Sequence, residues 1–524
     1  MIDGAMQPFA LTLDKFLAHA AKWRPTSQVV TARDDGRIDR IGYADLKVRS
    51  QRVSAALAGL GVAVGDRVAT LAWNTQAHVE AWYAIMGMGA VCHTLNPRLT
   101  AEHLAGMVAR SQAQIVIASA DLLGLARQVA ARVPQALRLL VIDGPAHGEA
   151  QALEALIAEA PGGFAWGGFD ETAPCGLCFT SGTTGAPKGV TYTHRSSFLH
   201  TLRALQVDTM AIGGADAVLA VVPMFHANAW GLPFACPAVG AKLVLPGRNA
   251  DGASLARLIR SESVTIAVGV PTVWLGLLEH LEAAGGEVPS LKRIIVGGAP
   301  MPPALMDRLE ARLGVIVQTS WGMTELSPTG TVAPAGAERS AAQSGRPAVG
   351  VDLMVADAEG RPLPQQRNVE GHLHVRGAAV VERYFGDTTP AVDADGWFAT
   401  GDLAKIDDEG NLAITGRAKD LIKSGGEWIN PAEIEAVVSA LPEVSLAAVI
   451  GRQDPKWGER PILLVELREP GHVSDEALLE ALKGRVASWW VPDAVVRLES
   501  MPLAATGKID KLRLRAEYGA GAAT

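Results

Sequence analysis

Through most of the chain, short apolar runs alternate with longer helical stretches. Between residues 10 and 60, Leu46, Val53, Leu57 and Leu60 recur near helical spacing around one short extended piece. After a turn at Gly65-Asp66, Val68–Trp73 predicts a strand, followed by a helix from Ala77 to Gly89. Within it begins the longest apolar run, Ala81–Cys92, read as buried helix and too short to cross a bilayer. Gln114–Ala118 and Leu139–Asp143 continue the alternation, and Val218–Val222, Ala241–Leu245, Val264–Val268 and Arg293–Val296 predict a second set of strands. Val/Ile-rich runs separated by helices point to parallel sheets covered on both faces, with ligands collecting at the carboxyl ends of the strands.

From about Ser344 to Asp408 the pattern shifts to short alternating strands broken by Gly, Pro and Asp, which predicts a small distorted β-barrel. Past Gly416 a different unit begins. Strands at Val444–Ile450, Ile462–Leu467 and Ala494–Leu498 with a helix at Asp475–Val486 predict a compact α+β domain. The expected fold is therefore α/β: a large domain over residues 1–416, with two layered sheets and the barrel, then a mobile small α+β domain over 417–524. A chain of 524 residues exceeds what one core usually supports.

Composition narrows the function. With 48% hydrophobic and 19% charged residues the chain is globular, and a net charge of −8 leaves no basic footprint for nucleic acid or anionic membrane. A polyanionic substrate must be met by local positive charge. No signal peptide is read at the N-terminus. Four cysteines do not make a disulfide framework, so a cytoplasmic setting is expected, with Cys175 and Cys178 as ordinary buried thiols.

Candidate chemistry begins at Thr180–Val190, TSGTTGAPKGV. Gly182, Gly185 and Gly189, four hydroxyls and Lys188 suit a loop whose backbone N–H groups face a polyphosphate. It is not a Walker A loop, because Lys188 follows Pro187 and precedes Gly189. The stretch resembles the phosphate loop of the adenylate-forming superfamily. Five further segments agree in order: Val296–Pro300, Ser320–Glu325, Thr400–Leu403, Gly416–Gly426 and Ala505–Asp510.

That resemblance implies activation of a carboxylic acid by ATP and Mg²⁺, followed by transfer to coenzyme A. Thr180, Ser181, Thr183, Thr184 and Lys188 would hold the β- and γ-phosphates. Thr324 would contact the α-phosphate, Glu325 would hold Mg²⁺ with Thr180 as a further contact, and Trp321 beside Gly322 would lie against adenine. Gly298, Ala299 and Pro300, joined by Gln318, would line the purine, and Asp402 would take the ribose hydroxyls. Lys508 would bridge the reacting carboxylate and the α-phosphate. Lys419, after Arg417, occupies a hinge about which the small domain would turn. That turn would bring Ser424, Gly425, Gly426 and Trp428 to a pantetheine channel, with Lys423 and Trp428 contacting nucleotide or coenzyme A.

His226 lies in a segment where such enzymes place an aromatic at the mouth of the acyl pocket. Pro223–Pro237 contains no acidic residue to pair with an ammonium, which disfavours amino acids. Phe225, Trp230, Leu232 and Phe234, with Val268 and Val270 on the next strand, suit an alkyl or thioether chain. The segment looks most like the branch holding medium- and long-chain fatty acyl-CoA synthetases and 3-methylthiopropionyl-CoA ligases, where a tryptophan matching Trp230 gates the acyl tunnel. A homodimer through the large domain is one arrangement the resemblance implies. A luciferase-like oxygenase and a non-catalytic nucleotide-binding relative stay open as alternatives.

Overall fold

The computed structural model describes residues 3–180, 187–425, 427–468, 473–504 and 508–520. Among these residues the strands form four sheets. One runs, in spatial order, through Gln151–Ala152, Arg138–Ile142, Ile115–Ser119, Arg67–Leu71, Val91–Thr94, Pro174–Phe179 and Gly189–Thr193. All its pairings are parallel except the last. A second, longer sheet holds Ile316–Gly322, Arg293–Val296, Ile266–Gly269, Ala217–Ala220, Lys242–Leu245 and Gln28–Ala32 side by side and parallel, with antiparallel strands at its edges. Ile115–Ser119, Val91–Thr94 and Ile266–Gly269 are buried at every position, which is why their sequences show no alternation.

The run Ala81–Cys92 divides, where one buried helix was expected. The helix Gln76–Gly87 ends, Gly89 turns at φ +83, and Val91–Thr94 forms a strand. A continuous apolar run does not distinguish a buried helix from a buried strand. Here the decision lies at Gly89, where an added Cβ would stand 2.9 Å from Phe169 as well as requiring the left-handed region.

The two parallel sheets share one core, in which Val68, Ile117 and Cys178 meet Val218, Val268 and Ile295, with Trp82 and Ile85 of the intervening helix. Asn74 fixes their relative position. Its side chain donates to Ala220 O and Val222 O and accepts from Met224 N at 2.7–2.9 Å, joining the end of one sheet's strand to the segment that leads to His226.

The expected barrel takes the form of a four-stranded antiparallel meander, Val351–Ala356, Gly371–Gly377, Phe398–Ile406 and Leu412–Arg417, bent by two bulges and open along its outer strands. The C-terminal sheet pairs Val444–Asp454 with Gly458–Leu467 and carries its own core around Ile434, Val449 and Leu463. Asn430 caps the helix Pro431–Ser439 and donates to Thr415 O at 2.8 Å, while Gly416 makes room for its side chain. The helix expected at Asp475–Val486 stops at Glu480, and Gly484 turns at φ +72.

Candidate active site

The carboxyl ends of parallel strands from both sheets face a common region. Strand Pro174–Phe179 leads to Thr180, whose N–H donates to Lys188 O at 2.9 Å and closes the base of the glycine-rich loop. Ser181, Gly182, Thr183, Thr184 and Gly185 lie outside the described residues, as does Gly426. Lys188 is exposed, and its ammonium sits 4.6 Å above the Tyr384 ring.

Glu325 follows strand Ile316–Gly322 on a short turn, with Thr324 buried beside it. Burial raises its carboxyl above the usual range, opposed by a 2.9 Å hydrogen bond from the Tyr384 hydroxyl to Oε1 and by the charges of Arg417 and Lys188. Among the described residues Glu325 has no ion pair, and Oε2 accepts no hydrogen bond. A buried carboxylate with a free oxygen and no fixed counter-ion fits a hard divalent cation completed by phosphate oxygens and water. No cluster of three or more metal-ligating side chains occurs among the described residues.

Trp321 donates its indole N–H to Asp402 Oδ2 at 2.9 Å. Arg417 Nε stands 2.9 Å from Oδ1 as an ion pair, yet lacks the direction of a hydrogen bond, so Oδ1 is a buried acceptor without a donor. That orphaned oxygen suits a ribose hydroxyl. Gly298 turns at φ +79 after strand Arg293–Val296, followed by half-buried Ala299 and exposed Pro300.

One expectation needs correction. Gln318 does not join the purine wall: it is fully buried, accepts from Arg293 at 3.0 Å, and donates to Thr209 O and Ala333 O. Its amide is spent holding the sheet to neighbouring segments. Gly322 is glycine for a backbone reason, since a Cβ there would lie 2.3 Å from Pro328 O.

After His226, Ala227, Asn228, Ala229 and Trp230 are all left-handed, with φ between 45 and 53, and Gly231 follows at 78. Consecutive non-glycine residues in this region cost about 1–2 kcal/mol each, a strain that clusters at functional sites. The turn carries the Trp230 ring to 2.8 Å from where a Gly297 side chain would begin, which leaves only glycine room there. Val268 is buried at the end of its strand, and half-buried Val270 packs against Gly298. His226 precedes the turn; burial, then the charges of Lys508 and Arg98, lower its pKa to about 4, so its imidazole is neutral at pH 7.

Lys508 therefore reaches the region from the C-terminal unit. It is exposed by surface area. Desolvation and the nearby charges of Arg417 and Lys419 lower its pKa to about 8, while Asp402 pulls the other way. Lys419 is exposed at the end of the meander, its own pKa lowered first by desolvation. Lys423 stands 5.4 Å over the exposed Trp428, and Gly425 lies under the Trp457 ring. Sequence reasoning missed Tyr384, Arg98 and Asn74. The only hint of Tyr384 was an aromatic pair ahead of Gly386-Asp387 in an otherwise polar turn.

Strand-end loops of two sheets, a glycine-rich loop and a lysine from a second unit define a nucleotide-dependent acid-activating enzyme. The chain belongs to the AMP-binding enzyme family: the family model matches residues 17–385, and that of the AMP-binding enzyme C-terminal domain matches 433–508. It is 39% identical to 3-methylmercaptopropionyl-CoA ligase of Ruegeria lacuscaerulensis, across 98% of each chain. It is also 39% identical to medium-chain-fatty-acid–CoA ligase of Ectopseudomonas oleovorans, across 98% of this chain and 97% of that one. The structure of ATP-bound MatB from Rhodopseudomonas palustris superposes with a TM-score of 0.87 at 27% identity, covering 98% of this chain and 99% of that one.

Proposed function

We propose that the protein is an acid:CoA ligase for an apolar carboxylic acid, either a medium- or long-chain fatty acid or a short thioether acid such as 3-(methylthio)propionate. The acid attacks the α-phosphorus of ATP, giving acyl-AMP and pyrophosphate; the thiol of coenzyme A then displaces AMP to give the thioester. Glu325, with Thr180 at the mouth of the phosphate loop, would hold a magnesium ion, which would lower the repulsion between the two anions. Thr324 and Lys188 bind phosphate oxygens, Trp321 backs the adenine, and Asp402 Oδ1 accepts from the ribose.

The observation that carries this reading is the convergence of Lys508, Asp402, Arg417 and His226. A cation that feels Asp402 and is felt by His226 is suited to stabilise the negative charge that would build as the acid attacks. His226, neutral beside Trp230, presents an uncharged wall to the chain. The apolar Phe225, Trp230, Val268 and Val270, with no acidic residue in Pro223–Pro237, support an acid without an ammonium group.

Residues 417–524 would rotate about Lys419 for the second step, bringing Gly425 and Trp428 to the thiol in place of Lys508. All four cysteines are free and buried, and among the described residues no helix is long and apolar enough to cross a membrane. The free, buried thiols support a cytoplasmic setting; a homodimer through the large domain completes the proposal. The test is pyrophosphate release with acids from three to sixteen carbons and 3-(methylthio)propionate, with and without coenzyme A. Acid-dependent pyrophosphate that becomes thioester only with coenzyme A is expected, and its absence for every acid would contradict the reading.

A further inference from the structure

The segment from Val381 to Asp387 is tied on both sides to the nucleotide end of the site. On one side, Val381 N donates to Glu325 O at 2.8 Å and the Tyr384 hydroxyl to Glu325 Oε1 at 2.9 Å. On the other, Phe385 N donates to Gly189 O at 2.7 Å, and the Lys188 ammonium rests on the Tyr384 ring. From outside, Arg110 donates to Pro187 O and Phe385 O at 3.0 and 3.1 Å and pairs with Asp387.

Lys188 and Glu325 carry opposite charges and influence each other electrostatically, yet they form no ion pair among the described residues. Tyr384 stands between them, with its face toward the cation and its hydroxyl toward the anion. Left to meet, the two charges would neutralise each other, and a ligand would first have to separate them.

We propose that Tyr384 is a positioning residue that keeps the metal-binding carboxylate and the phosphate-binding lysine apart and aimed before MgATP arrives. This rests on the roles assigned above to Glu325 and Lys188. The two halves of the side chain do different work. The hydroxyl orients a ligating carboxylate, and losing such an outer partner commonly costs about 10–100-fold in metal affinity. The ring seats the ammonium through a cation–π contact, whose loss at an exposed site corresponds to about 2–5-fold in affinity.

The experiment is calorimetric titration of ATP into the full-length protein, with and without Mg²⁺, for wild type, Tyr384→Phe and Tyr384→Leu. Wild type is expected to bind ATP more tightly with Mg²⁺. Tyr384→Phe should lose about tenfold of that enhancement while Mg²⁺-free binding is unchanged. Tyr384→Leu should lose the enhancement and also weaken Mg²⁺-free binding by about 2–5-fold. The backbone bonds of Val381 and Phe385 persist in both variants, and equal melting temperatures check that the fold does too. An enhancement unchanged in Tyr384→Phe, or equal loss with and without Mg²⁺, overturns the role of Tyr384. No enhancement in wild type instead overturns the assignment of Glu325 itself.

Discussion

Trp321 and Asp402, separated by 81 positions, are joined by a 2.9 Å hydrogen bond from the indole N–H to Oδ2. The bond crosses from the longer parallel sheet to the antiparallel meander, so the carboxylate is aimed by the side chain expected to face the adenine. With Oδ2 occupied, Oδ1 is left as a buried acceptor without a donor, which suits the ribose contact proposed for it.

Trp321→Phe keeps an aromatic face but removes the donor, leaving a second Asp402 oxygen unsatisfied. KM for ATP should rise about 5–10-fold, matching the loss of about 1–1.5 kcal/mol for one hydrogen bond to a charged group. KM for the acid should not change. Steady-state kinetics varying each substrate separately distinguishes the two.

The lowered pKa of Lys508, about 8, sets a pH dependence. The ammonium is present below that pH and is lost as pH rises through it, so kcat/KM for pyrophosphate release should fall on the alkaline side with an apparent pKa near 8. His226, at about 4, is neutral across this range and contributes no step. Lys508→Arg keeps its charge at any accessible pH, so the alkaline fall should vanish even if the rate drops.

The left-handed turn from Ala227 to Trp230 predicts a separation between the two substrate sites. Ala229 is fully buried, and a β-branched side chain at positive φ is disfavoured. Ala229→Val should therefore raise KM for the acid at least about tenfold through a displaced Trp230, an effect above about 1.4 kcal/mol. KM for ATP should hold. Trp230→Ala should shift the preference across the acid series toward bulkier or longer chains.

Much of the fold was legible because buried parallel strands are written as uninterrupted Val/Ile runs, and each run at Arg293–Val296 or Ile266–Gly269 ended in a glycine or proline that marked a site loop. Contacts between distant segments were not. Nothing near Gln318 indicated that Arg293, Thr209 and Ala333 would consume its amide. Nor did Tyr384 announce its position between Lys188 and Glu325, since the three come together only when the meander packs on both sheets. The strained turn after His226 was hidden for a different reason. Alanine and tryptophan carry no preference for positive φ, so the surrounding fold, through Asn74 and its bonds to Val222 and Met224, sets the path into it.

Two assays on Lys508→Ala bear most directly on the whole account: acid-dependent pyrophosphate release from ATP, and thioester formation from supplied acyl-AMP and coenzyme A. Loss of this balancing charge should slow the first by about a hundredfold or more, while the second continues near the wild-type rate. Equal loss in both, or unimpaired pyrophosphate release, would contradict the placement of that amine at the reacting carboxylate.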